Sequence, residues 1–243
     1  MVYPFFSQRF ALLLLLLLLL LGGAFFHFGR SLWVPMYYRL VGHRSVDGVI
    51  AKYGPGAEAR LQDAFRAVDV DYPPASLAFL AFKEEKRLEV WASRQRQWVL
   101  VSTYLIKGIS GKAGPKLREG DRQVPEGIYK LEGLNPNSSF HLSMKINYPN
   151  AFDLKHATLD GRTTPGGNIF IHGGALSVGC LAMGDDAIEE LFVLTHRVGV
   201  SSVKVVIAPS DLRRGASPSL SGPGWLPELY GHIRTELSEF KPH

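Results

Sequence analysis

The sequence predicts a mainly β fold of the α+β class, one antiparallel β-sandwich or barrel domain with helices at its edges, set behind an N-terminal membrane helix. Three observations carry this reading. Ten consecutive leucines, Leu12 to Leu21, lie between Arg9 and Arg30 in a stretch whose only ionisable group is His27. From Leu77 onward, apolar runs of strand length alternate with charged or glycine-rich turns. Helical periodicity after that point is confined to a segment starting near Asp186 and another starting at Leu226.

The N-terminal run spans about 30 Å as a helix, the thickness of a bilayer core. A buried soluble helix is a poor account of ten leucines beside a terminus. A cleaved signal peptide would use Gly22-Gly23-Ala24 as its processing site. Phe25, Phe26 and Phe28 extend the apolar run past that site, which favours an uncleaved anchor. The basic residues that follow, Arg30, Arg39 and Arg44, outnumber Arg9 and by charge alone place the rest of the chain in the cytoplasm. Segment 31–76 reads as a juxtamembrane and helical extension. Its helix runs from Val46 to Val70, is interrupted at Gly54-Pro55-Gly56, and is closed off by Tyr72-Pro73-Pro74.

The domain proper is expected over 77–210. Leu77–Phe82 and Leu88–Ala92 form a hairpin about the charged turn Lys83–Arg87, and Trp98–Ile106 adds a third strand. A glycine-rich loop, Gly108–Gln123, carries Lys112, Lys116, Arg118 and Arg122 and reads as a solvated charged surface. Pro125-Glu126-Gly127 turns the chain into the strand Ile128–Leu131. Phe140, Leu142, Met144 and Ile146 alternate with polar neighbours, the pattern of a half-buried antiparallel strand. Asn168–His172 and Val203–Ala208 complete the strands. Asp186 caps a helix with Glu189 three residues on. The final segment, 211–243, is a Ser/Gly/Pro-rich linker, Arg213–Pro223, and a helix through Leu226, Leu229, Tyr230, Ile233, Leu237 and Phe240.

Composition narrows the function classes. A chain of 243 residues with 46% apolar content holds one ordinary domain and a leader. The net charge of +5 comes without a Lys/Arg run or a basic stripe interleaved with aromatics, so nucleic acid is not an expected partner. A single cysteine, Cys180, excludes an internal disulfide and any multi-thiolate metal site. His141, His156 and His172, even with Asp153 or Asp160, show no compact metal-ligand spacing, so no metal and no cofactor are expected.

The chemistry concentrates between His172 and Cys180. A strand delivers His172 and stops at Gly173-Gly174. A short loop then brings the chain to Ser177-Val178-Gly179-Cys180. A thiol with an ordinary pKa of about 8.5 is mostly protonated at neutral pH, and a neighbouring imidazole takes its proton or holds the thiolate as an ion pair. Gly179 permits a tight turn that aims nearby amides at a developing oxyanion. Spacing alone leaves two readings open, a Cys/His nucleophilic site and a buried structural cysteine.

The stretch resembles the signature of the YkuD-type L,D-transpeptidase catalytic domain, and more closely its YafK-like branch. The resemblance runs from about Leu77 to Ala208 through ordered blocks: Leu88-Glu89-Val90-Trp91, Gly114-Pro115-Lys116, Glu119-Gly120-Asp121, Pro125-Glu126-Gly127-Ile128-Tyr129, Asn147-Tyr148-Pro149-Asn150 and His172-Gly173. It implies a YkuD-like fold, Cys180 as nucleophile, His172 as general base, and Gly179, Ser177 and Gly173 as support for the loop and oxyanion. Tyr148, Asn150 and Arg118 are the expected substrate contacts. The implied partners are peptidoglycan stem peptides, with a wall-linked lipoprotein among the substrates of some YafK-like amidases, and the cytoplasmic membrane through the leader. The expected reaction forms a thioester with a diaminopimelate carbonyl and passes it to an amine. Water as acceptor, giving an amidase, is the first alternative, and an inactive wall-binding module the second. Because peptidoglycan lies outside the cytoplasmic membrane, this implication overrides the arginine count and puts the domain in the periplasm. Two positions depart from the common pattern. Val178 stands where many members have a second histidine, and Ala182 where many have an arginine.

Overall fold

The computed structural model describes residues 5–95, 97–215 and 222–241; residues 216–221 of the predicted linker and the side chain of His27 lie outside the described part. The chain divides into two compact units, Met1–His43 and Arg44–His243. In the first, α1 (Phe5–Phe28) is followed by α2 (Arg30–Val41). Helix α1 is long and apolar enough over Gln8–Phe26 to cross a membrane, a test that a signal sequence also passes. Its leucines are exposed, the condition of a lipid-facing helix.

The second unit opens with α3 (Val46–Ala67), capped by Ser45, whose hydroxyl accepts from Gly48 N at 3.0 Å. The predicted interruption at Gly54-Pro55-Gly56 does not occur; Pro55 sits inside a continuous helix. Val49, Ile50, Ala57, Leu61 and Phe65 bury one face in the core, and this packing outweighs the lost backbone hydrogen bond.

The strands are β1 (Leu77–Phe82), β2 (Arg87–Arg94), β3 (Gln97–Leu105), β4 (Gly108–Ile109), β5 (Gly127–Asn135), β6 (Ser143–Ile146), β7 (Phe170–His172), β8 (Leu181–Ala182) and β9 (Val203–Ala208). They form one curled sheet in the order β3-β2-β1-β9-β5-β6-β7-β8-β4. The α+β class and a curled, half-barrel sheet agree with expectation; the antiparallel sandwich is corrected, because the sheet is single and mixed, with β1 parallel to β9 and β7 parallel to β8. Both faces of its centre are covered. Leu77, Phe79, Ala81, Val205 and Ile207 join the core beneath α3 and α5 (Asp185–Val198). Ala78, Leu80, Phe82, Val206 and Ala208 meet Leu229, Tyr230 and Ile233 of α6 (Leu226–Leu237) on the other side. Double coverage is why β1 reads as a continuous apolar run, and β9 as one broken only at Lys204, rather than as alternating strands.

Three local expectations also change. Strand β6 begins at Ser143, not Phe140, because His141 adopts φ +74° and breaks the extended run. Helix α5 starts after Gly184 with no side-chain cap, and Asp186 lies within its first turn. A further helix, α4 (Ala151–Leu159), carries the actual capping box, formed by Asn150 and Asp153.

Candidate active site

Strand β7 carries His172, and Cys180 immediately precedes β8. Ile171 pairs with Leu181 in parallel register, and both are buried in the core. Side chains alternate along strands, so His172 points away from the face that Ile171 buries, and Cys180, one residue ahead of β8, stands beside Phe170. His172 and Cys180 are offset by two residues, about 7 Å along the strands. His172 Nδ1 lies 2.6 Å from Gly173 O. A carbonyl oxygen only accepts, so Nδ1 carries the hydrogen and Nε2 is the free lone pair of a neutral ring. The ring packs against Phe140, centroid to centroid 4.7 Å. The half-buried Cys180 Sγ accepts from Phe170 N at 3.4 Å and lies 4.0 Å from Asn168 O. Among the described residues no thiol–imidazole hydrogen bond is formed.

Electrostatics favour the uncharged pair. Burial pulls the His172 imidazole below its ordinary value, opposed by the hydrogen bond to Gly173 O. Burial pushes the Cys180 thiol up, opposed by the Phe170 N–H and the positive charge of Lys116. Both shifts oppose a preformed thiolate–imidazolium pair.

The loop between them is tightly built. A Cβ on Gly173 would stand 2.6 Å from Phe140 O and 2.7 Å from Asp185 Oδ1. Asp185 Oδ1 also accepts from Gly174 N at 2.8 Å, which ties the start of α5 to the loop. Gly179 has φ +95°, a region that glycine enters at little cost. Its N–H donates to Ser110 Oγ at 2.6 Å and is thus occupied rather than aimed at an oxyanion. Ser177 Oγ donates to Cys180 O at 2.6 Å and lies 3.2 Å from Ser110 Oγ, so two hydroxyls brace the turn.

The remaining expected residues divide by burial. Tyr148 is buried, and its hydroxyl donates to Pro165 O at 3.0 Å and Lys116 O at 3.2 Å. Asn150 is committed to α4 and to Ile128 O. Arg118 is exposed in a cleft of about 700 Å³ that is also lined by Lys112, Leu117, Asp121, Gln123 and Arg162. The loop is not simply solvated. Lys116 is 7% exposed, and its ammonium contacts Asp121 Oδ1 at 2.6 Å and Arg118 O at 2.9 Å. Asp121 is held below the usual carboxylate range; burial raises it, but Lys116 and three backbone N–H groups prevail. Val178 is 72% exposed, whereas Ala182 is fully buried and pairs with Gly108 across β4. Ser110 and Phe140 are site neighbours the sequence did not single out; Lys116 reads there only as one charge of the Gly108–Gln123 loop, although it sits in the recognisable block Gly114-Pro115-Lys116.

The histidines weighed for metal lie in separate places. His141 Nε2 is 2.8 Å from Glu189 Oε1, and His156 stacks on Trp225 with centroids 4.7 Å apart. Among the described residues no group of three or more His, Cys, Asp or Glu converges.

A histidine at the end of β7 and a cysteine just before β8 thus stand at neighbouring strand ends of a mixed sheet. The chain belongs to the YkuD L,D-transpeptidase catalytic domain family, whose sequence profile matches residues 78–207. It is similar to YafK of Escherichia coli (strain K12), which is named among the L,D-transpeptidases, with 36% identity over 133 residues, 53% of this chain and 52% of that protein. The chain thus spans about half the length of the curated relatives it matches. Among solved structures, the helical cell shape determining protein Pgp2 of Campylobacter jejuni is 26% identical at a TM-score of 0.46, covering 56% of this chain and 48% of Pgp2. Bd1075 of Bdellovibrio bacteriovorus is 22% identical at a TM-score of 0.41, covering 70% of this chain and 57% of that one.

Proposed function

We propose that this chain is a peptidoglycan L,D-transpeptidase in which Cys180 is the nucleophile and His172 the general base. Stem peptides carrying diaminopimelate are the substrates. The observation that supports the reading is the β7–β8 register, which brings the strand end carrying His172 beside the residue that follows Cys180, together with the Gly173 O contact that leaves Nε2 as acceptor. As substrate excludes water, Nε2 takes the Cys180 proton and sulfur bonds to the diaminopimelate carbonyl carbon. The tetrahedral oxyanion collapses, the C–N bond to the terminal D-alanine breaks, and His172 returns the proton to the departing amine. An acceptor amine then attacks the thioester, its proton passes to His172, and the thiol is regenerated.

Peptidoglycan as substrate puts the work in the cell envelope, with α1 as a cytoplasmic-membrane anchor or leader and the domain in the periplasm. A hydrolytic outcome, with a wall-linked lipoprotein among its substrates, is favoured by one feature. Buried Ala182 offers no guanidinium to hold a carboxylate at the position after the turn.

Digestion of purified peptidoglycan, with and without an acceptor peptide, separates these outcomes. New diaminopimelate-to-diaminopimelate links are expected. Shortened stems or freed protein alone would replace transfer with hydrolysis. Cys180→Ala is expected to abolish turnover and keep wall binding; full activity in that variant would remove the mechanism.

A further inference from the structure

The family profile begins at residue 78, yet part of the restraint on the His172 side of the site comes from residues before it. Phe140, whose ring faces His172, lies in the turn between β5 and β6. That turn is gripped by the residues at the start of the second unit. Arg44 N donates to Asn137 Oδ1 at 2.8 Å, Asn137 Nδ2 donates back to Arg44 O at 2.9 Å, and Arg44 Nη2 donates to His141 O at 2.6 Å. Tyr53 of α3 meets the His141 ring edge-on at 5.1 Å, and Glu189 of α5 holds its other side. His141 needs this support because it sits at φ +74°, a conformation costing about 1 kcal/mol or more that persists only where neighbours over-determine it. Phe140 is the adjoining residue, so the strained backbone sets the height of its ring. Its carbonyl also faces Gly173, within 2.6 Å of where a Cβ would stand.

We propose that the extension preceding the matched domain is part of the catalytic apparatus: Arg44 and α3 lock the turn at Asn137–His141 so that Phe140 positions the His172 ring. The proposal rests on the reading of His172 as base. Arg44, Asn137 and Phe140 are positioning residues, since none of them touches the thiol. Phe140 covers the imidazole and keeps it dry, which agrees with its lowered affinity for protons. The titratable groups on the adjoining segments are Asp185, bonded to Gly174 N, the His141–Glu189 pair, and Cys180 itself.

The test uses the full chain in detergent micelles and a soluble stem tetrapeptide with an amine acceptor. Asn137→Ala, Arg44→Met and Phe140→Leu are each expected to lower kcat about tenfold or more, with KM changed less than about twofold. The acidic limb of the pH profile of kcat/KM should move upward, because a loosened ring gains water and its pKa rises toward the ordinary value. Arg44→Lys, which keeps a donor for His141 O, should recover part of the loss. A purely structural role would lower the melting temperature and the active fraction but leave the pH limb in place. Phe140→Leu preserves apolar bulk, so it gives a folded readout even where an Arg44 variant is unstable. Unchanged kcat and unchanged pH limbs in these variants, beside an inactive His172→Ala, overturn the proposal alone. An active His172→Ala overturns the functional reading beneath it.

Discussion

Asp153 shows how much one side chain can hold. Its Oδ2 accepts from Asn150 N at 2.9 Å to close the α4 capping box, and Tyr129 OH reaches its Oδ1 at 3.4 Å. Burial nevertheless dominates and raises its pKa to about 6. A carboxyl raised in the fold favours the protonated form, so its contribution to stability is full below the ordinary value and lost as pH rises through about 6. The loss is on the order of 2–3 kcal/mol. The stability difference between wild type and Asp153→Asn should therefore change by about that amount between pH 4 and pH 7 in urea unfolding. A difference independent of pH would refute the assignment. At this scale the sequence shows residue types but not their surroundings. Cys180 and His172 stand out because their spacing and flanking glycines are local. Lys116 reads as a surface charge because Asp121 and the buried pocket around it are folded into place. Phe140 reads as one more apolar residue on a strand, because the backbone reversal at His141 leaves no trace in hydropathy.

Among the elements, the most consequential tie joins the end of β1 to the start of β5. Lys83 Nζ reaches Glu126 Oε1 at 2.8 Å, Gly114 O at 2.9 Å and Val124 O at 3.0 Å. Glu126 also receives Gly114 N and, from α6, Tyr230 OH, each at 2.8 Å. The pair is fully enclosed, and burial lowers the Lys83 pKa against the pull of Glu126. Lys83→Met strands a buried carboxylate and should cost about 3–5 kcal/mol in urea unfolding. A cost below about 1 kcal/mol would mean the pair is dispensable. Adding Glu126→Leu should not recover stability, since Gly114 N and Tyr230 OH then lose their acceptor. Element prediction succeeds where burial is uniform: β1 and β9 begin and end at the residues expected from their apolar runs. It fails at α3, where tertiary packing overrides Pro55. It also fails at α4, whose nine residues have little amphipathic pattern and whose cap is Asn-x-x-Asp rather than the Ser/Thr-x-x-Glu form.

For the whole molecule, two long-range facts lie beyond local pattern. The sheet is mixed because β1 takes the last strand as its parallel neighbour, and no turn signal between them announces a partner that distant. The helical extension, whose apolar side is legible in the sequence but whose packing partner is not, supplies core residues such as Leu61 and Phe65. The exposed leucines of α1 lead to a separate expectation for the intact chain. It should remain with membranes after alkaline carbonate washing, and quantitative release into the supernatant would argue for a cleaved leader. The β1–β9 pairing also has a consequence in time. A polypeptide leaves the ribosome, or any secretion pore, amino end first. Strand β1, buried along its whole length, must therefore wait with one edge open until residue 208 has emerged. Contacts this distant in sequence form slowly. The centre of the sheet thus closes only once β9 is available, and until then β1 keeps open the edge that β9 will cover.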